Sequence, residues 1–163
     1  QPDKFLTSED GFVYLVCPRN AFPGHTAIYT EQLNVRGQLE LEKLELVSAG
    51  GLSASAAASA KTSIASIFPG KGSIETELVN IVRLMQGQEE LISQSWPLKR
   101  YKLEQLITRV KEERAADIVK YSSLGISGEN CTTWAIKKLE NCGLQVDHTI
   151  FPRRAAGHTC TML

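Results

Sequence analysis

The sequence lacks an excess of charge of either sign and lacks a long apolar run. Its 163 residues carry 18 basic and 18 acidic side chains. Domains that bind nucleic acid or anionic membranes usually carry a clustered surplus of basic residues, and a membrane-spanning helix needs about 20 consecutive apolar residues. We therefore expect no nucleic-acid partner and no stable membrane insertion. A neutral or lipidic substrate remains compatible with this composition.

Cysteine and histidine are also scarce, with four and three residues respectively. The cysteines are Cys17, Cys131, Cys142 and Cys160, and they form no CxxC pair and no zinc-binding spacing with the histidines. We therefore predict no metal site, and we predict no cofactor. A disulfide from Cys17 to Cys142, or from Cys142 to Cys160, remains open, but dense disulfide cross-linking is not indicated.

The length of the chain suits one compact domain with a sizeable core, so we expect a single domain over residues 1–163. The first residue is Gln1 and not Met, which predicts a processed chain or an excised part of a longer one. No signal peptide is visible in the sequence. The compartment stays open, and secretion is compatible with it.

The first third of the chain predicts antiparallel strands. Aromatic and β-branched residues bounded by turn residues indicate strands over Gly11–Pro18 and His25–Glu31, and alternation indicates a third over Gln38–Leu46. Strands followed by helices, without regular βα alternation, predict an α+β domain. In such a domain a small antiparallel sheet packs on helices.

The remainder predicts helices and a closing strand. An Ala/Ser-rich insert of about 49–72 is expected to be mobile, and Ser73 is expected to cap a helix that begins there. Residues around Trp96–Pro97 break the helical pattern, and helical spacing resumes from Leu103 to about Ala115. A last strand is predicted over Leu144–Phe151.

Cys131 is the candidate nucleophile. It follows the Gly/Ser-rich turn Gly125–Gly128, and Asn130 is placed to cap a helix that Gly143 would end. The thiolate is the reactive form of cysteine, and a helix N-terminus favours it through its partial positive charge. The alternative is a small buried structural thiol.

A thiol nucleophile needs a base, and the base needs an orienting group. His25 is the candidate base, at the start of the second predicted strand. A turn centred between Val35 and Arg36, with a bulge near Lys43, would place Glu45 diagonal to His25 and on its face. Glu45 is therefore the predicted third residue, and Glu42 is the alternate.

Other residues enter as alternatives or as substrate contacts. His148, beside Asp147, is a rival base that would follow the cysteine in the chain. Tyr29, Asn130 and Trp134 are the candidate substrate contacts. Tyr29 and Trp134 could equally be core residues, and Asn130 could serve only as the helix cap.

Two short motifs together resemble a known group of proteins. The segment Pro23-Gly24-His25-Thr26-Ala27-Ile28-Tyr29, and Tyr121-x-x-Leu124 followed later by Asn130-Cys131, are similar to the circularly permuted papain-like proteins of the NlpC/P60 group. That group includes lecithin:retinol acyltransferase-like enzymes and PPPDE-type deubiquitinating peptidases.

The resemblance implies a permuted papain-like fold with His25 as base, Cys131 as nucleophile and a polar third residue on the strand after His25. The sequence has no second histidine on that strand, unlike the acyltransferase-like members. This difference disfavours phospholipid acyl transfer.

Three functions follow as hypotheses. The first is a thiol hydrolase with a Cys-His-polar triad that cleaves an amide bond in a peptide, an isopeptide or a peptidoglycan cross-link. The second is an acyltransferase that forms a thioester on Cys131. The third is a non-catalytic interaction domain whose charged region from Ser73 to Arg114 binds a protein partner. A secreted bacterial effector or toxin is a context that would suit such a domain.

Overall fold

The computed structural model describes residues 10–18, 25–48, 70–80, 90–121 and 129–147. In chain order these form β1 (Asp10–Pro18), β2 (Ala27–Leu33), β3 (Leu39–Ser48), β4 (Gly70–Val79), β5 (Glu90–Lys99), α1 (Arg100–Ala116), β6 (Lys120–Tyr121) and α2 (Cys131–Glu140). The strands make one sheet in the order β5-β1-β2-β3-β4-β6, in which neighbouring strands are antiparallel. The predicted α+β class is confirmed. Of the two helices described, neither is long and apolar enough to cross a membrane.

The hairpin between β2 and β3 sets the register on which the site depends. Asn34 holds the turn, because its side-chain oxygen accepts the N–H groups of Arg36 (2.8 Å) and Gln38 (2.9 Å). Gly37 takes the left-handed φ of 75° that this tight turn requires. The turn is therefore centred on Arg36.

The β2–β3 register runs without a shift from the Leu33–Leu39 pair to the Ile28–Leu44 pair. The predicted turn centre between Val35 and Arg36 is therefore wrong, and so is the predicted bulge near Lys43. The wrong turn centre shifts the predicted β2–β3 register by one residue, and the wrong bulge shifts it back by one residue, so the two errors cancel beyond Lys43. One further step of the observed register places Ala27 opposite Glu45, as the sequence argument required.

The segment that follows residue 69 is extended and not helical. Ser73 lies in β4 opposite Val47, and Ile74 lies opposite Leu46, so the predicted helix capped by Ser73 is wrong. Pairing with β3 outweighs the local resemblance to a helix start. Residues 70–72 of the predicted insert belong to β4, and the remainder of the insert lies outside the described residues.

The predicted break at Trp96–Pro97 also lies inside a strand. Strand β5 is the edge strand beside β1, where Pro97 lies opposite Phe12. Proline is tolerated there because an edge strand has one side without ladder hydrogen bonds. The last strand predicted over Leu144–Phe151 is not formed at residues 144–147, and its other residues lie outside the described part.

Both helices pack on one face of the sheet. Helix α1 buries the i, i+3, i+4, i+7 set that predicted it: Leu103, Leu106, Ile107 and Val110. These residues join Trp134 and Leu139 of α2 in the main core, against side chains such as Leu15, Ile28, Leu44 and Leu46. Alternate residues of β1 to β3 form a second buried cluster on the opposite face: Tyr14, Val16, Ala27, Tyr29 and Leu41.

Candidate active site

Helix α2 begins with a reciprocal capping box. The Asn130 side-chain oxygen accepts the Thr133 N–H at 2.7 Å, and the Asn130 N–H donates to Thr133 Oγ1 at 2.9 Å. The predicted Asn130 cap is confirmed. Cys131 is consequently the first residue of the helix, where the helix dipole favours negative charge.

The far end of α2 is closed by the predicted glycine. The Gly143 N–H donates to the Glu140 carbonyl at 2.9 Å, and the Leu144 N–H donates to the Leu139 carbonyl at 3.3 Å. Gly143 has a φ of 85°, so this is a Schellman motif. Both ends of the helix that carries Cys131 are therefore fixed by local hydrogen bonds.

A second contact brings the start of β2 to the start of α2. Thr26 Oγ1 lies 2.8 Å from Thr132 Oγ1, and both threonines are completely buried. His25 directly precedes Thr26, and Cys131 directly precedes Thr132. The two candidate catalytic residues are thereby brought to the same place, although 106 positions separate them in the chain.

His25 contacts the predicted third residue. Its Nε2 lies 3.4 Å from Glu45 Oε2, and the Lys43 ammonium lies 3.0 Å from the same oxygen. These are ion-pair distances, and neither contact has the alignment of a hydrogen bond. The predicted pairing of Glu45 with His25 is present in the structure.

His25 also interacts with Cys131, and its titration reflects both neighbours. Burial by itself lowers the pKa of His25. The contacts with Cys131 and then Glu45 outweigh burial and raise the pKa of His25 to about 10. An anionic sulfur and an imidazolium stabilise each other's charged form, and the raised pKa keeps His25 protonated near neutral pH.

Glu45 responds to the same charges in the opposite sense. Burial raises the pKa of Glu45, but the contact with His25, supported by Lys43, outweighs burial and lowers it. Glu45 is therefore ionised near neutral pH. A carboxylate in this position can orient the imidazole and stabilise its cation.

Cys131 is completely buried, whereas the side chains of His25 and Glu45 are 17% and 13% exposed. A substrate therefore reaches the sulfur only if neighbouring groups move. A cavity of about 360 Å³ adjoins Glu45 and is lined also by Lys43, Arg114 and residues 73–77 of β4. The charged and hydroxyl side chains that line this cavity therefore lie beside the Glu45 carboxylate.

Tyr121 is a neighbour of Cys131 that the sequence reasoning did not assign to the site. It lies in β6, pairs with Gly70 and forms a bridge with Glu129, two residues before Cys131. Burial, and then the negative charge of Cys131, raise the pKa of the Tyr121 hydroxyl. That hydroxyl therefore remains protonated at any physiological pH.

The alternates occupy other positions. Glu42 lies 3.4 Å from the Lys111 ammonium of α1, and its backbone carbonyl accepts the Thr30 hydroxyl at 3.3 Å. Glu42 therefore forms an ion pair with a residue of α1 and does not pair with His25. His148, the rival base, lies outside the described residues.

The three candidate substrate contacts are all at most 1% exposed. Trp134 packs in the main core and donates its indole N–H to Glu113 Oε1 at 2.6 Å. Tyr29 lies in the second cluster, and Asn130 caps α2. The packing agrees with the core and cap alternatives for these residues, and their role as substrate contacts stays a prediction.

The cysteines differ in state. Cys17 is disulfide-bonded, whereas Cys131 and Cys142 are free thiols. Both disulfide pairings considered from the sequence involve Cys142, so both are wrong. Among the residues that the structure describes, no group of three or more His, Cys, Asp or Glu side chains is arranged to hold a metal ion.

Sequence reasoning missed Thr26, Thr132, Lys43 and Tyr121 as neighbours of the site. The threonines stand next to His25 and Cys131, and this adjacency is the one signal that could have identified them. Lys43 and Tyr121 reach the site only through strand pairing.

No family model matches the chain, and neither a curated protein nor a solved structure matches it. Fold and site geometry are therefore the basis for assigning a function.

Proposed function

We propose that this chain is a cysteine-nucleophile hydrolase that cleaves an amide bond. Cys131 is the nucleophile, His25 is the base, and Glu45 orients His25. The observation that carries the proposal is that one partly buried imidazole interacts with both a helix-start thiol and a carboxylate. The order of histidine before cysteine is also that of the permuted papain-like proteins which the two motifs resemble.

Acylation begins from the thiolate–imidazolium pair. Cys131 Sγ attacks the amide carbonyl carbon and forms a C–S bond, and the carbonyl electron pair moves to oxygen. The Cys131 backbone N–H, at the positive end of α2, is the proposed donor to that oxyanion. As the tetrahedral intermediate collapses, the C–N bond breaks, His25 gives its proton to the leaving nitrogen, and a thioester remains on Cys131.

Deacylation reverses the role of His25. The neutral imidazole takes a proton from water, the resulting hydroxide attacks the thioester carbon, and the C–S bond breaks to release the carboxylic acid product. The proton returns the site to the thiolate–imidazolium pair. The substrate classes proposed from the resemblance are peptides, isopeptides and peptidoglycan cross-links, and transfer to an acceptor other than water would be the acyltransferase alternative.

Alkylation of the native protein tests the proposal without knowledge of the substrate. Cys131 is completely buried and Cys142 is half-buried, so accessibility alone predicts faster labelling of Cys142. Burial raises the pKa of the Cys142 thiol, which disfavours its reactive form. We expect iodoacetamide to label Cys131 at least about tenfold faster than Cys142, as followed by peptide mass spectrometry.

The matched variants are His25→Gln, which should slow the labelling of Cys131 and leave that of Cys142 unchanged, and Cys142→Ser, which should leave Cys131 unaffected. Equal labelling of both thiols, or preference for Cys142, would favour the non-catalytic alternative.

A panel of peptide, isopeptide and muropeptide reporters then identifies the substrate class. An acyl group retained on Cys131 and passed to an amine or alcohol would indicate transferase activity.

Glu45→Gln should change the pH dependence of the site. Glu45 helps to raise the pKa of His25 to about 10, so the wild-type imidazolium persists from neutral pH up to about pH 10 and is lost above it. Removal of the carboxylate lowers the pKa of His25. The proton should therefore be lost at a lower pH, which would move the alkaline limit of hydrolysis downward.

NMR titration of the His25 ring measures this directly, and the apparent value belongs to the Cys131–His25 pair. Glu42→Gln is the matched control, because Glu42 contacts Lys111 and should not affect the His25 titration. An unchanged His25 titration in Glu45→Gln would remove Glu45 from the proposed triad.

A further inference from the structure

We infer that Thr26 and Thr132 form a positioning pair that fixes the base and the nucleophile against each other and directs a hydroxyl hydrogen at the Cys131 sulfur. This inference rests on the proposed function. It adds two residues to the site and gives each a role that can be tested by a separate measurement.

A hydrogen bond between the two threonines joins the start of β2 to the start of α2. The Thr26 and Thr132 hydroxyl oxygens are 2.8 Å apart and are both fully buried, so the contact is a well-formed hydrogen bond away from water. Each threonine is joined by one peptide bond to a catalytic residue. A shift of α2 relative to β2 would therefore break the threonine contact and separate Cys131 from His25.

The direction of the hydrogen bonds follows from the neighbouring sulfur atoms. Thr132 Oγ1 lies 3.8 Å from Cys131 Sγ, and Thr26 Oγ1 lies 4.0 Å from Cys17 Sγ. Cys17 is disulfide-bonded and carries no S–H, and a thiolate at Cys131 carries none either. Neither sulfur can donate, so a hydrogen bond to either sulfur must come from a hydroxyl group. At Cys17 the Ser93 hydroxyl, 3.3 Å from the sulfur, can supply that hydrogen, which leaves the threonine hydrogens for other acceptors.

The two threonine hydrogens therefore serve the O···O contact and one of the two sulfur contacts. A thiolate is a stronger acceptor than a disulfide sulfur because it is charged. The favoured chain runs from the Thr26 hydroxyl to Thr132 Oγ1, and from the Thr132 hydroxyl to Cys131 Sγ. A hydrogen bond donated to the charged form of a group stabilises that form, so this chain supports the thiolate.

The test compares isosteric and hydroxyl-preserving variants by two readouts. Thr132→Val and Thr26→Val remove a hydroxyl at nearly constant volume, whereas Thr132→Ser retains it. For each variant, the ultraviolet absorbance of the Cys131 thiolate is measured against pH by difference from the same variant carrying Cys131→Ala. The rate of Cys131 alkylation at neutral pH is the second readout.

We expect Thr132→Val to slow alkylation of Cys131 about tenfold and to move thiolate formation to higher pH, and Thr132→Ser to stay within about twofold of the wild type. Thr26→Val should act in the same direction with a smaller effect, because it leaves the Thr132 donor in place. Circular dichroism verifies that each variant is folded.

The double variant Thr26→Val/Thr132→Val separates positioning from folding. It leaves no unpaired hydroxyl in the core, so its stability should exceed that of either single variant. Slow alkylation in this variant supports the inference. Wild-type absorbance and alkylation in folded Thr132→Val would overturn the positioning pair alone, whereas a wild-type Cys131 that labels no faster than Cys142 would overturn the proposed function and this inference with it.

Discussion

Cys131→Ser is expected to lower the proposed amide hydrolysis by roughly a thousandfold or more. A serine hydroxyl does not ionise near neutral pH, and it cannot replace the interaction with Cys131 that, together with Glu45, raises the pKa of His25 to about 10. The side chain remains similar in size, so the fully buried start of α2 should pack as before. The rate is measured on whichever reporter amide the wild-type protein cleaves fastest.

His25→Gln should give a loss of similar size, because in the proposed mechanism the Cys131–His25 pair supplies both the thiolate and the proton for the leaving group. The double variant should be hardly worse than either single variant, since residues that act as a unit are not additive. Cys142→Ser is the matched control and should retain full activity. Substantial turnover by Cys131→Ser would require a different nucleophile.

Trp134→Ala is expected to reduce the free energy of unfolding by about 3–5 kcal/mol. Trp134 is completely buried in the main core, its indole N–H donates to Glu113 Oε1 at 2.6 Å, and Lys138 also pairs with Glu113. The substitution leaves a large cavity and removes the indole hydrogen bond from α2 to α1, so that the Lys138–Glu113 pair remains. Because typical domains have only about 5–15 kcal/mol of stability, partial unfolding at moderate temperature is expected.

The other tryptophan provides the comparison. Trp96 also donates its indole N–H, to the Gln145 carbonyl at 3.1 Å, but it is only partly buried at the margin of the core. Trp96→Ala should therefore cost clearly less in urea unfolding, and Trp134→Phe should fall between the two because it keeps the ring and loses the donor. Equal costs for the two alanine variants would contradict the central position assigned to Trp134.

The sequence predicted both ends of helix α2 and the residues that meet at its start. Capping by Asn130 and termination at Gly143 are local interactions between residues a few positions apart, so sequence spacing suffices to predict them. The contact of Glu45 with His25 was predicted from strand pairing. That contact is present in the structure, although the turn centre and the bulge used to predict it were both wrong.

Strands β4 and β5 show where local reasoning fails. The residues after Ser73 resemble a capped helix, but pairing with β3 makes them a strand, and no local signal encodes that partner. Pro97 was interpreted as a break because proline is disfavoured inside a sheet. The sequence does not reveal that this strand lies at the edge of the sheet, where proline is tolerated. Within the predicted charged helical region from Ser73 to Arg114, residues 73–79 and 90–99 are strands, residues 100–114 belong to α1, and residues 81–89 lie outside the described part.

By itself the sequence determined the α+β class, the strand periodicities of β1 to β3, the apolar stripe of α1 and the helix that carries Cys131. Each of these follows from side chains that interact within a few residues of one another. Only the tertiary structure decided that β4 and β5 extend the sheet, that Glu42 pairs with Lys111, and that Thr26 and Thr132 join β2 to α2. Those contacts link residues far apart in the chain, and they exist only once burial of the common core has brought the elements together.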